Sequence, residues 1–532
     1  MAMSGHSKLT LDDIPVINMG QFLLDRMKTF GDSVAIVDGT TEEETSYRKL
    51  AMEVESAASG LQAFGVQKND VICVVSPNHP DYLVAFYATT LIAGTFQPVN
   101  PMYTKDDIVK VFKQCKSKFI MTTSELLPKV KEASAEFPTI KIIMFGESPG
   151  YTSFRSLFDH SHGPYVSPDI DPKSDVAALM SSSGTTGFPK AVRMTHYSIV
   201  ANTLQQRCAG LNTSADTLVV FLPFFHAYGL YLVSYYAHHL GARLVVMSMF
   251  EPDKYLYLIE KYKPNLLQVV PPVMVLFSKY PKVANYDLSS VTQIICGAAP
   301  LSKEIEDTVK TKLNIQCIHQ GYGMTEVGVT HLNGRDNSRY KSVGKLLPLV
   351  EMKIVDVDSG RIMGVNEEGE IWVKGPQLSL GYHELPEQTR ELFTPDGWAR
   401  TGDIGYEDED GFLFVVDRLK ELIKYKAFQV APATLEDILL RHDAIADVGV
   451  VGMLDVDAGE LPRAYVVLKA GRTLTEQDVL TFVADQVAPH MKLRGGVEFV
   501  QEIPRTASGK ILRKSLRERA REFAASKSPR SN

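Results

Sequence analysis

Short β-branched, apolar runs alternate with longer amphipathic stretches through the first three hundred or so residues, and this alternation restricts the fold more than any other feature. Runs at residues 71–75, 140–145, 176–180, 243–247, 266–270 and 293–296 have the length and composition of strands. Stretches such as 45–64 and 252–263 between them carry helical spacing with one apolar face. Such alternation predicts an α/β fold, a large N-terminal domain of parallel sheets flanked by helices. Ligands in these folds sit beyond the carboxyl ends of the strands, where loops open.

The pattern changes near residue 350. Residues 352–357, 370–374 and 411–416 read as short strands separated by Gly, Asp and Glu, predicting a small antiparallel or β-barrel-like unit over about 345–417. A charged segment follows, Asp417-Arg418-Leu419-Lys420-Glu421-Leu422, and after it residues 433–441, 448–453, 463–468 and 476–486 read as alternating helix and strand. The expected domains are therefore 1–417 and a small α+β unit, 418–532, since 532 residues exceed one compact core. The basic tail from Lys514 is expected to be a frayed helix and then disorder.

Composition excludes several classes. A net charge of -7 gives no global attraction to nucleic acid or acidic lipid, so an anionic ligand must be held by local groups. The five cysteines (Cys73, Cys115, Cys208, Cys296 and Cys317) form no CxxC pair, which argues against a disulfide framework or a structural zinc. The polar first sixteen residues have no apolar core of a signal peptide. Residues 218–237 are apolar enough to approach a membrane span, but Pro223, His226 and Gly229 interrupt them, and a buried strand, loop and helix is expected instead. Oligomeric state is not legible.

Chemistry is carried by short motifs. Ser181-Ser182-Ser183-Gly184-Thr185-Thr186-Gly187-Phe188-Pro189-Lys190 follows the strand at 176–180. Its glycines expose backbone N–H groups, its hydroxyls add donors, and Lys190 adds charge, so the loop can wrap a polyphosphate. It is not a Walker A loop, because Phe188 and Pro189 separate Gly187 from Lys190. In Gln320-Gly321-Tyr322-Gly323-Met324-Thr325-Glu326 the glycines permit close backbone approach. Tyr322 offers a face for a base, Thr325 a phosphate donor, and Glu326 an oxygen ligand for Mg²⁺. Gly297-Ala298-Ala299-Pro300 ends a strand with small residues that leave room for a flat ligand. Asp403, in Thr401-Gly402-Asp403, can accept two ribose hydroxyls.

In these motifs and their order, from about Asp32 to Lys514, the chain resembles the adenylate-forming superfamily, and within it the 4-coumarate–CoA ligases and beetle-luciferase-like acyl-CoA synthetases. The resemblance implies that ATP, Mg²⁺ and coenzyme A are used to join a carboxylic acid first to AMP and then to a thiol. It makes the 181–190 loop the phosphate loop, with Ala191 in place of the usual Gly, and makes Gly297, Ala298 and Ala299 the adenine wall. Tyr322 would stack on adenine, Asp403 and Arg418 hold the ribose, and Glu326 the metal. Lys420 would be the hinge of a mobile C-terminal domain, and Lys424 would serve the thiol step. Ala427 stands where the family usually has Gly beside the thiol's tunnel. Lys510, closing Pro504-Arg505-Thr506-Ala507-Ser508-Gly509-Lys510, would be the adenylation lysine. A counter-charge there offsets the repulsion between carboxylate and phosphate.

His226, Tyr228, Ala298, Gly323, Met324 and Val329 would border the acid, with His226 and Thr325 beside the reacting groups. No Asp lies between Phe221 and Tyr236 to pair an ammonium, which disfavours amino acids. Apolar Met324 and Val329 lean toward a fatty acid over a hydroxycinnamate-like aryl acid. The alternatives are a luciferase-type monooxygenase, disfavoured by Val329 where luciferases carry Ser, adenylation for a carrier protein, and a non-enzymatic nucleotide sensor, disfavoured by intact Lys510, Glu326 and Asp403. A cytoplasmic location is expected. The resemblance also allows a peroxisomal one, although Arg530-Ser531-Asn532 is not the Ser-Lys-Leu signal.

Overall fold

A computed structural model describes residues 8–182, 189–297, 301, 303–335, 338–426, 428–506 and 509–527. A seven-stranded sheet runs in the order Thr152–Ser153, Lys141–Phe145, Phe119–Thr123, Val71–Val75, Thr95–Val99, Val176–Ser182 and Lys190–Thr195, parallel except for the last strand. Val71–Val75 is buried at every position, as expected of a strand covered on both faces. The helix Tyr47–Phe64 is among its neighbours in sequence. Ser46 caps its start by accepting from the Lys49 N–H at 3.2 Å, and Gly65, left-handed at φ 106°, ends it.

Two further parallel arrangements complete the α/β part. Thr217–Val220, Arg243–Val246 and Val34–Asp38 run parallel, with Glu44–Ser46 antiparallel at the edge. Leu266–Val269, Gln293–Cys296 and Cys317–Met324 run parallel, and Gly328–Leu332 turns back against Cys317–Met324. The segment at 218–237 is a strand, a loop and then a π-helical stretch, Tyr228–Tyr235, continuing into the helix Tyr236–Leu240. Among the described residues no helix is long and apolar enough to cross a membrane. The five cysteines are free.

The smaller antiparallel unit is a four-stranded meander of Glu351–Val355, Gly369–Lys374, Ala399–Glu407 and Leu413–Arg418. Its first and last strands do not pair, so it is an open sheet. Beyond it, Ile423–Tyr425, Phe428–Val430, Ile445–Asp455, Gly459–Leu468 and Val497–Phe499 form a mixed sheet. Helices Pro432–Leu440, Glu476–Ala484 and Arg513–Lys527 accompany it. Leu435, Val450, Val466 and Val479 belong to a core cluster of this segment, distinct from the large cluster of the preceding residues. The disorder expected at the extreme C-terminus concerns residues 528–532, outside the described set.

The strands the sequence reading proposed agree in position to within a few residues, but several others escape it, three of them in the parallel sheets. Thr95–Val99 contains Pro98, which argues against a central strand. The strand is central nonetheless, because its pairing with Val176–Ser182 is confined to Phe96 and Ala178 and makes no demand on an N–H at Pro98. Val34–Asp38 and Phe119–Thr123 are short and lack a distinctive alternation. The glycine-rich motif at 320–324 lies in the extended strand Cys317–Met324.

Candidate active site

Several motifs converge on one cavity of about 140 Å³. Its walls include Ser182, His226, Tyr228, Gly297, Tyr322, Gly323, Met324, Thr325, Glu326, Val329, Arg418 and Lys510. Residues separated by hundreds of positions therefore meet beyond the ends of the strands Val176–Ser182, Gln293–Cys296 and Cys317–Met324. This is the placement expected for an open α/β sheet.

The strand Cys317–Met324 positions the central group. At Gly323 an added Cβ would lie 2.3 Å from the Gly328 carbonyl oxygen and 2.8 Å from the Val329 Cα, so only Gly allows this approach of the two strands. Asn202 holds the second strand from a buried helix: its Nδ2 donates to the Val329 carbonyl at 2.8 Å and its Oδ1 accepts from the Val329 N–H at 3.0 Å. Met324 and Val329 are thereby turned toward the cavity.

A polar cluster lies beside them. The Tyr322 hydroxyl donates to Asp403 Oδ2 at 2.7 Å, and Arg418 Nε approaches Asp403 Oδ1 at 3.1 Å. Asp403 is thus oriented by two donors, and its charge raises the Arg418 pKa. The buried Glu326 accepts from the Tyr382 hydroxyl at 2.9 Å, and Lys190 Nζ lies 4.5 Å from the centroid of the same tyrosine ring. The Ser182 hydroxyl is buried and has no partner among the described residues, next to the loop read as a phosphate cradle. Gln320 is buried, and Gly321 packs against Leu332.

Lys510 reaches this cluster from the C-terminal segment. Gly509 packs beside Pro272, and Lys341 pairs with Asp437 at 2.8 Å across the same boundary. Burial, reinforced by the Arg418 charge, pushes the Lys510 ammonium down to about 8, while Asp403 and Glu326 oppose the shift. His226 is held neutral, its pKa lowered to about 4 by burial and then by Lys510. Its Nδ1 accepts from the Tyr228 N–H at 3.2 Å, which places the imidazole proton on Nε2. Lys420 and Lys424 are exposed and outside the cavity. Lys424 lies on the strand Ile423–Tyr425, where its N–H donates to Glu460 at 2.8 Å.

A family model described as AMP-binding enzyme matches residues 23–383, and one described as AMP-binding enzyme C-terminal domain matches residues 434–510. The chain belongs to the AMP-binding enzyme family. It is 39% identical over 526 residues to a probable 4-coumarate–CoA ligase 1 of Dictyostelium discoideum, covering 95% of this chain and 96% of that protein. It is 40% identical to 4-coumarate–CoA ligase 1 of Petroselinum crispum, covering 94% and 93%. Among solved structures, ATP-bound MatB of Rhodopseudomonas palustris superposes with a TM-score of 0.87 at 26% identity, covering 95% of this chain and 100% of that one. As a member of this family the chain is an AMP-forming acid–thiol ligase.

Several sites read from the sequence fall outside the described residues: Ser183, Gly184, Thr185, Thr186, Gly187, Ala298, Ala299 and Ala427. Sequence reasoning missed Tyr382, which no motif contains and which links Glu326 to Lys190. It also missed the remaining walls of the cavity, among them Gln206, Leu211, Asn212, Leu232, Tyr236 and Gln268. The one available signal was amide side chains within otherwise apolar stretches.

Proposed function

We propose that this AMP-binding family enzyme condenses a hydroxycinnamate-like aryl acid with ATP and then coenzyme A. The observation that carries the acid class is the compact, partly polar cavity of about 140 Å³, whose amides would be left facing the methyl end of a fatty chain. The names of the relatives support it, as 4-coumarate–CoA ligases stand at 38–40% identity over nearly the whole chain. The fatty-acid preference suggested by Met324 and Val329 has no such support: a flat apolar ring satisfies those side chains equally well.

In the proposed first step a carboxylate oxygen attacks the α-phosphorus of ATP, the bond to the bridging oxygen breaks, and pyrophosphate leaves. Lys510 lies between the two anions and neutralises their repulsion. Asp403 and Arg418 hold the ribose, Tyr322 meets the base, and Ser182, Thr325 and Lys190 address phosphate oxygens. Glu326 suits Mg²⁺, since one buried carboxylate with the nucleotide's own oxygens and waters is a common ligand set for that ion. The metal would add positive charge at the phosphates. In the second step the thiol sulfur attacks the acyl carbon and AMP departs.

The proposal includes a small C-terminal domain that turns about the segment at Arg418–Lys420, exchanging Lys510 for Lys424. Its support is the separate core of that segment and the placement of Lys510 inside and Lys424 outside the cavity. Lys510→Ala is expected to lose pyrophosphate exchange by at least ~10²-fold while converting pre-made acyl-AMP and CoA to thioester. Lys424→Ala is expected to show the opposite pattern. Equal loss of both half-reactions in both variants would overturn the two-position account.

A further inference from the structure

Helix Pro432–Leu440 belongs to the C-terminal unit but is gripped by residues of the preceding one. Toward its own unit it presents Leu435, Ile438 and Leu439, which enter that unit's core. Glu436 adds polar ties there, accepting from the Val450 N–H at 2.8 Å and from Arg513 Nη2 at 3.0 Å. Arg513 follows Lys510 by three residues, so the helix is fastened to the segment that carries Lys510.

Two polar contacts to this helix cross the boundary. Ala431, the residue before it, has no side chain that can cap it, and Asp417 Oδ2 accepts instead from the Ala433 N–H in the first turn at 2.9 Å. A carboxylate at that position also faces the positive end of the helix. Further along, Asp437 accepts from Lys341 Nζ at 2.8 Å. Both grips are anchored on one strand of the open meander. Asp417 lies on Leu413–Arg418, paired opposite Ile404, and the Ser342 hydroxyl beside Lys341 donates to the Leu413 carbonyl at 2.9 Å. Lys341 itself has a left-handed backbone, φ 64°, which a residue with a Cβ adopts infrequently and where its surroundings fix it.

These contacts are weak enough to be released. The Lys341 side chain is 47% exposed, and Asp437 is shared with Arg441, which meets the same carboxylate at 2.7 Å. Water screens such a pair, and its contribution to overall stability is small. Between two folded orientations of similar free energy, however, a few-fold bias changes which one is occupied. We propose that Asp417 and Lys341 are positioning residues for adenylation: they hold helix Pro432–Leu440, and through it Lys510, in the orientation that completes the cavity, and release it for the thiol step. The proposal rests on the two-position reading above. Neither residue is among the described walls of the cavity, so both act through Lys510.

The test compares two half-reactions of the full-length enzyme, pyrophosphate exchange and thioester formation from pre-made acyl-AMP and CoA. If each rate follows the population of its own orientation, their ratio follows the equilibrium between the two, whichever is the more occupied. ATP and acid are kept saturating, so that nucleotide binding through the neighbouring Arg418 does not enter. The ratio of exchange to thioester formation is expected to fall ~2- to 5-fold in Lys341→Met, the scale of an exposed ion pair. It is expected to fall ~3- to 30-fold in Asp417→Ala, the scale of a lost helix cap. The double variant Lys341→Met/Asp437→Asn should fall no further than the lower of its two single variants. Partial unfolding lowers both rates together and cancels in the ratio. An unchanged ratio in both Lys341→Met and Asp417→Ala overturns the proposal, as does a fully additive fall in the double variant. The Lys510→Ala and Lys424→Ala pair separates the two failures. If those variants still divide the half-reactions while the ratio is unmoved, the grip on the helix is refuted and the two-position reading stands. If they lose both half-reactions equally, both fall.

Discussion

Lys510 carries the sharpest expectation, because its environment works against the charge its role requires. Burial and the Arg418 guanidinium lower its ammonium from 10.5 to about 8, equivalent to ~3 kcal/mol in favour of the neutral amine. Two anionic substrates supply the compensation, so binding of ATP and acid returns the pKa upward. For the free enzyme, kcat/KM in pyrophosphate exchange is then expected to fall above pH 8, ~10-fold by pH 9 and ~100-fold by pH 10. The substrate-bound enzyme keeps its proton, so kcat holds to higher pH. Exchange is the right assay because no thiol titrates in it. Calorimetry in buffers of different ionisation enthalpy should detect proton uptake on ATP binding near pH 8.5. Lys510→Arg, charged throughout, is expected to flatten the profile at a lower rate, since its fork does not reproduce a point charge. The linkage also has a definite sign for stability. Between pH 8 and 10.5 the unfolded chain binds a proton that the native chain lacks, so ligand-free stability rises with pH across that window. At neutral pH the native state bears the full penalty, and Lys510→Met is expected to raise the ligand-free Tm while abolishing adenylation. A kcat/KM profile flat to pH 10, or a break in kcat at the same pH, would refute the reasoning.

Other sites give simpler expectations. Tyr382→Phe removes the 2.9 Å donor to Glu326 and should raise the KM for Mg–ATP several-fold, an effect read as a shifted Mg²⁺ titration. Asp403→Asn leaves Arg418 without its ionic partner, and the KM for ATP should rise at least ~10-fold in initial-rate kinetics, the scale of a lost charged hydrogen bond. Gly323→Ala drives a Cβ into the Gly328 carbonyl and should cost ~1–3 kcal/mol in urea unfolding, together with weaker acid binding.

The chain's local patterns were sufficient for much of this. The runs at 71–75 and 293–296 are strands at those bounds, and the stretch at 45–64 is the helix Tyr47–Phe64, because burial of one or both faces writes its period into neighbouring residues. The motifs at 181–190, 320–326, 401–403 and 504–510 were visible for a similar reason: glycines and clustered donors are conspicuous at short range. Which of those residues meet was a different matter. Lys510 joins His226 and Glu326 only because a separately cored C-terminal segment packs against Pro272 and the Lys341 region. Tyr382 is an unremarkable tyrosine until tertiary packing lays its hydroxyl on Glu326. Gln205 and Gln206 are adjacent and chemically identical, yet one is fully bonded within the protein and the other faces the cavity. Local sequence reports how a side chain leaves its helix or strand. What it encounters there depends on segments distant in the chain, and only the packed structure brings them together.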